Sequence, residues 1–181
     1  MTTGSEKREM TRRAPFSDTT CMADTIKTRD TSLEGFLRDL SSDSGRAGSG
    51  AAGAIALALG AACAAKAAAI SLKHDPDNAQ LHKARGQLLA HIDAAIEGSD
   101  DDSKLFARFL RHRSRLAAES VISADQKLLE RVDELTAILE SIDPQIRQNV
   151  AGDIVAARAL SVAARAIQIE NITEMRAVRT R

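Results

Sequence analysis

Between Gly45 and Lys73 the chain reads GRAGSGAAGAIALALGAACAAKAAAISLK, a glycine turn opening into a run in which twelve of the 20 residues Ala51 to Ile70 are alanine. Alanine is the strongest helix former but offers little surface with which to hold a helix in place. A helix this bare must be enclosed by others. Gly53, Gly60 and Ala67 recur every seven residues, so one face is nearly smooth and a second helix can approach at the short end of the usual range of about 8–10 Å. Gly45, Gly48 and Gly50 permit backbone conformations closed to other residues. The helix behind them leaves its first N–H groups unpaired, a site suited to an anion or a polar ligand edge.

Two other readings of the stretch fail on residue chemistry. A nucleotide phosphate loop needs a lysine and a hydroxyl residue closing the glycine run after a strand, whereas Gly50 is followed by Ala51 and Ala52 with a helix upstream. In a membrane span the four Leu/Ile residues would contribute about −1 to −2 kcal/mol and Lys66 alone would cost about +2.5 to +3.5. The stretch therefore reads as a buried helix of a soluble protein, with no membrane partner, and its glycine run reads equally as a flexible linker capping that helix. Lys+Arg and Asp+Glu both number 25, so the net charge is zero. No global field recruits nucleic acid, and neutrality favours self-association. Aromatics are 2% of the chain, four Phe without Tyr or Trp, which leaves few platforms for stacking bases. Cys21 and Cys63 form neither a metal spacing nor a disulfide framework, and no histidine stands at ligand spacing from another, so no metal is expected. A reducing cytoplasm fits these cysteines, and no apolar signal core sits near the N-terminus.

Residues 1–30 are polar and aperiodic and read as a disordered tail, in which Met22 is an alternative start to Met1. Residues 31–181 read as one domain. Its first helix runs from Ser32 as N-cap to Leu40, with Leu33, Phe36, Leu37 and Leu40 as its stripe. After the alanine helix, Asp75 and Pro76 open a third, ending near Gly98. A fourth runs from the cluster Asp100, Asp101, Asp102 to Arg111, His112, Arg113 and Arg115, the charge order that a helix dipole prefers. Arg108, Arg111 and Arg115 form a stripe that suits a ligand carboxylate, while a lone histidine such as His112 on an apolar face reads as a core residue. Ser123 to Gln126 gives a capping-box pattern for a fifth helix, carrying Leu128, Val132, Leu135, Leu139 and Ile142. A last long helix starts at Gly152. Strand signals are absent, and the expected fold is an all-α bundle of about six helices with short connections.

Three segments, in order, resemble the cyclodeaminase/cyclohydrolase family, which comprises the C-terminal domain of formiminotransferase-cyclodeaminase and stand-alone methenyltetrahydrofolate cyclohydrolases. They are SLEGFLRDLSS with GRAGSGAAGAIALALGAACAA, then DDSKLF, then NVAGDIVAARALSVAARAIQIENI, together spanning most of residues 32–172. Gly48, Gly50, Asp102, Phe106, Asn149, Asp153 and Asn171 match the family pattern. Ala47, Ser49, Ala51 and Gly152 depart from its proline, glycine and two serines. Leu105, Arg111 and His112 stand where the family has small residues.

The resemblance implies a folate substrate, 5,10-methenyltetrahydrofolate, whose cationic amidine carbon is attacked by water to give 10-formyltetrahydrofolate. It also implies a homodimer and no further cofactor. An ionised carboxylate would stabilise the cation and take the water proton; Asp153, at the first turn of the last helix, is the foremost candidate, and Asp102 the second. Gly48, Ser49 and Gly50 would offer polar contacts to the pterin or the glutamate tail, Asn149 would join them, and Arg108 or Arg111 would neutralise the tail. The sister reaction, cyclodeamination of 5-formiminotetrahydrofolate, is not separated by sequence. A non-catalytic homologue that binds folate or merely oligomerises also stays open.

Overall fold

A computed structural model describes residues 27–43 and 46–179. Its helices are α1 (Leu33–Leu40), α2 (Ser49–Leu72), α3 (Ala79–His112), α4 (Arg115–Ile142) and α5 (Ala151–Arg179), with 3-10 turns at Thr28–Asp30, Asp143–Gln145 and Gln148–Val150. There is no strand among the described residues. The four long helices run up, down, up and down, with α2 packed between α3 and α5 and α4 closing the ring.

The division of side-chain size between helices explains that ring. Ala51, Ala54, Ala61, Ala64, Ala67 and Ala68 of α2 are wholly enclosed, and at Gly60 an added Cβ would stand 3.1 Å from the Ala157 carbonyl of α5. Bulk comes from opposite, from Leu128, Val132, Leu135, Leu139 and Ile142 of α4 and Leu81 and Leu88 of α3. Small faces meeting large ones fill a core to native density. Among the described residues α2 is the one helix long and apolar enough to cross a membrane, and here its apolar surface is used inside the bundle.

The expected count of about six helices is corrected to five α-helices among the described residues. Gly98 does not end the third helix; α3 continues through it, and its missing side chain makes room for Leu128, whose Cδ2 lies 2.8 Å from where a Cβ would be. The chain turns instead at Arg113, in the left-handed region at φ 44°, and Ser114 caps α4 by accepting from the Ala117 N–H at 3.2 Å. Ser123 and Gln126 therefore lie inside a helix rather than opening one. Arg115 leaves the arginine stripe for α4, and His112 is exposed at the end of α3, not in a core. Asn78, not Asp75, caps α3, accepting from the Leu81 N–H at 3.0 Å.

The expected disordered tail lies outside the described residues as far as residue 26. Thr28–Asp30 form a turn on α3, with the Thr28 N–H and hydroxyl donating to Asp100 at 2.7 and 2.6 Å. Helix α1 keeps its cap at Ser32, but Leu33 and Leu37 remain 68% and 52% exposed. Its service to the rest is Asp39, whose carboxylate receives the N–H groups of Arg46 and Ala47 at 3.2 and 2.9 Å and so fixes the approach to Gly48.

Candidate functional site

The glycine turn, the last turns of α3, the start of α4 and the last turns of α5 meet at one end of the bundle. They enclose a cavity of about 80 Å³ lined by Gly48, Ser49, Gly50, Asp102, Phe106, Val121, Asn171, Glu174 and Met175. That is room for a few ligand atoms, so the remainder of a larger ligand must lie across the outer surface.

Asp102 is the chemical centre of the cavity. It is 4% exposed, inside α3 rather than at a helix start, and the absence of a side chain at Gly50 admits it: a Cβ there would fall 2.3 Å from Asp102 Oδ1. The glycine is thus required for close approach. No described glycine has positive φ, and Gly48 is extended at φ −114° and ψ −169°, which corrects the conformational argument for Gly48 and Gly50; Gly45 lies outside the described residues. The expected anion site at the start of α2 is corrected as well, because the protein's own Asp102 accepts the Ala51 N–H. Burial pushes the Asp102 carboxyl up to about 6, with that hydrogen bond pulling the other way.

Beneath it lies Asp125 of α4, wholly enclosed. Burial first, then the Asp102 charge, push Asp125 up to about 7, and the neighbouring Asn171 amide lowers it only in part; neither Asp125 oxygen completes a hydrogen bond. Asn171 Oδ1 accepts from the Ser49 hydroxyl at 2.8 Å. Gln168 Nε2 donates to the Gly50 carbonyl at 3.1 Å, locking α5 to the turn. Phe106 walls the cavity, with Phe109 behind it at 6.3 Å between ring centroids.

Of the residues singled out from sequence, Gly48, Ser49, Gly50 and Asp102 come together, with Phe106 and Asn171. Asp153 and Asn149 do not join them. Asn149 lies in the turn Gln148–Val150 and Asp153 in the first turn of α5, and Asp153 Oδ1 pairs with Lys66 Nζ at 3.0 Å, sixteen residues along α2 from Gly50 and so about 24 Å away at 1.5 Å per residue. Arg108 and Arg111 stand exposed on the outer side of α3 with no ion pair among the described residues, near the cavity but not lining it. No group of metal-ligating side chains occurs among the described residues. Asp125 and Gln168 are the functional candidates that sequence reasoning missed. Their signal is present: Val121, Asp125, Leu128, Val132 and Ala157, Ser161, Ala164, Gln168 are core stripes in which a polar residue stands at a buried register position.

A family model described as formiminotransferase-cyclodeaminase matches residues 32–173. Among solved structures, the chain is similar to a formiminotetrahydrofolate cyclodeaminase from Thermotoga maritima, with 16% identity and a TM-score of 0.71 over 83% of this chain and 81% of that one. At that identity the likeness establishes the fold. No curated protein sequence matches the chain. The family match spans α1 to α5 and contains every residue lining the cavity except Glu174 and Met175, and on it the chain belongs to the formiminotransferase-cyclodeaminase family, whose members are enzymes of folate one-carbon metabolism.

Proposed function

We propose that the chain hydrolyses 5,10-methenyltetrahydrofolate to 10-formyltetrahydrofolate in the cytoplasm, with Asp102 as the base. The observation that carries this is a buried carboxylate, poised near neutrality, in a cavity that no lysine or arginine lines. Such a site favours a planar cation over an anion. Water adds to the bridging carbon and Asp102 takes one of its protons, the single proton that hydrolysis of the cation releases. The bond to N5 then breaks, N5 keeps the electron pair, and the remaining hydroxyl proton ends there. Ser49 and Gly50 meet the pterin edge, while Arg108 or Arg111 neutralises the glutamate tail outside the cavity.

The second reading, cyclodeamination of 5-formiminotetrahydrofolate, draws support from the Thermotoga maritima likeness and needs the same carboxylate to move a proton from N10 to departing ammonia. Following the methenyl absorbance with each substrate separates the two, since one reaction consumes that chromophore and the other forms it. Turnover of methenyltetrahydrofolate above the uncatalysed rate, without metal or nucleotide, is the expected result. Binding of a folate without turnover would transfer the chain to the non-catalytic reading, and neither binding nor turnover would leave an assembly module.

Assembly as a homodimer belongs to the same proposal. On α5, Val155, Ala159, Val162, Ala166 and Ile169 are exposed at alternating spacings of four and three, with Leu59 and Ala62 exposed beside them on α2. An apolar seam of this spacing fits a copy of itself, and zero net charge puts no repulsion in the way. Sedimentation at micromolar concentration should give twice the 19.3 kDa chain mass. Val162→Glu should restore the single-chain mass, and a wild-type value of one chain would end the dimer reading.

A further inference from the structure

The cavity end of the bundle holds more buried acceptors than donors. Asp125 is 0% exposed with both oxygens unpartnered, and Gln168, 1% exposed, uses Nε2 on Gly50 and leaves Oε1 without a donor. Gln168 and Asn171 are neighbours on one face of α5, so the orphan atoms lie in one layer. The groups that face this layer are Asp102 from α3, Glu174, Gln168 and Asn171 from α5, and from α2 only the Ala51 N–H and Ser49 hydroxyl. No cation is among them. An ionised Asp125 would stand beside a second carboxylate with only the Asn171 amide to offset its charge, an unfavourable state in so enclosed a place. A proton on Asp125 removes that charge and turns an orphan acceptor into a donor.

We propose that Asp102 and Asp125 hold a single proton between them at neutral pH, carried by Asp125, while Asp102 stays ionised and directed into the cavity. Asp125 does not line the cavity, so it is a positioning residue acting through Asp102. The inference rests on the reading of Asp102 as the base. Through the hydrolysis the pair holds one proton, then two once water has given one to Asp102, then one again when Asp102 releases it.

The consequence for stability has a definite sign. Both carboxyls lie above their ordinary value of 3.8, Asp102 at about 6 and Asp125 at about 7, so the folded chain retains protons that the unfolded chain has lost. Stability from this source is complete below the ordinary carboxylate value and is lost as pH rises through 6 and then 7. His91 works in the opposite sense, since burial lowers it below 6.5. Its contribution is lost as pH falls below that value and is nearly constant on the alkaline side.

Thermal melting of the full chain between about pH 6.5 and 8.5 tests the proposal through this linkage. The wild-type Tm should fall with pH, and Asp125→Asn should remove most of that fall, because Asp125, at about 7, gives up its proton across this window while Asp102, at about 6, has lost most of its own below it. Asp102→Asn should also reduce it. A purely structural Asp125 would shift Tm equally at every pH, and parallel curves would overturn the proposal. Should Asp125→Asn fail to fold, the infrared spectrum of the wild type decides. A protonated-carboxyl band present at about pH 6.5 and gone by about 8.5 supports the shared proton, and its absence at the lower pH refutes it. Absence of turnover with either folate would sink the functional reading while leaving the melting experiment intact.

Discussion

Asp102→Asn is expected to cut turnover of the folate substrate by about 10²–10⁴-fold, the usual worth of a positioned general base, while leaving the bundle folded. The amide keeps the shape of the carboxylate beneath Gly50 but can neither balance the cationic amidine nor take a proton from water. Because Asp102 is 4% exposed, removing its charge should also leave the fold at least as stable on the alkaline side of neutrality, where the wild type must keep a desolvated carboxylate ionised. Lost activity with undiminished stability is the signature that separates a base from a structural residue. The companion variant is Asp153→Asn. Its pair with Lys66, whose side chain is 62% exposed, is worth no more than about 1 kcal/mol, and turnover should survive. If Asp153→Asn abolished turnover and Asp102→Asn did not, the base would have to be sought at the Lys66 end of the bundle. Rates for the two variants, measured beside their melting curves, decide between the carboxylates.

Both carboxylates were visible in the sequence as acidic residues near apparent helix starts; that placement holds for Asp153, in the first turn of α5, and fails for Asp102. Whether an aspartate caps a helix or is buried in one depends on where the helix begins. The cluster Asp100 to Asp102 looked like an opening because Gly98 precedes it. Gly98 is in fact a packing residue, with Leu128 filling its place, so the helix passes through and carries Asp102 into the interior. A second misplaced boundary hid Asp125, since reading Ser123 to Gln126 as a capping box put it in the first turn of a helix. The true start, Ser114, follows a left-handed arginine that no local preference announces. What was legible was periodicity: the alanine helix and the α4 stripe each stand where their spacing put them. The distance between Asp153 and the glycine turn was not legible from motif order. It follows from the antiparallel pairing of α2 with α5, which sets Gly50 against Gln168 and Lys66 against Asp153.

The largest effect on stability should come from Gly60→Leu. The glycine is enclosed, and its place for a Cβ lies 3.1 Å from the Ala157 carbonyl and 3.4 Å from Leu160 Cβ, with Leu135 Cδ2 at 3.7 Å. The nearest of these is backbone and cannot rotate aside. A leucine therefore has to push α5 away from α2 along their whole contact, and overpacking of this kind costs about 1–3 kcal/mol, more where backbone must move. For a domain of this size that corresponds to a fall in Tm of about 6–12 °C at the upper figure. Gly86 supplies the opposite sign from the same residue type. It is exposed within α3 and has nothing within 4 Å of its Cβ position, so Gly86→Ala gains helix propensity without any clash and should stabilise by about 0.5–1 kcal/mol. Calorimetric melting of the two variants beside the wild type checks both. A Gly60→Leu protein that melts with the wild type would mean that α2 and α5 do not approach as closely as the Gly60–Ala157 contact requires, and the alignment that brings Gln168 and Asn171 to the glycine turn would fall with it.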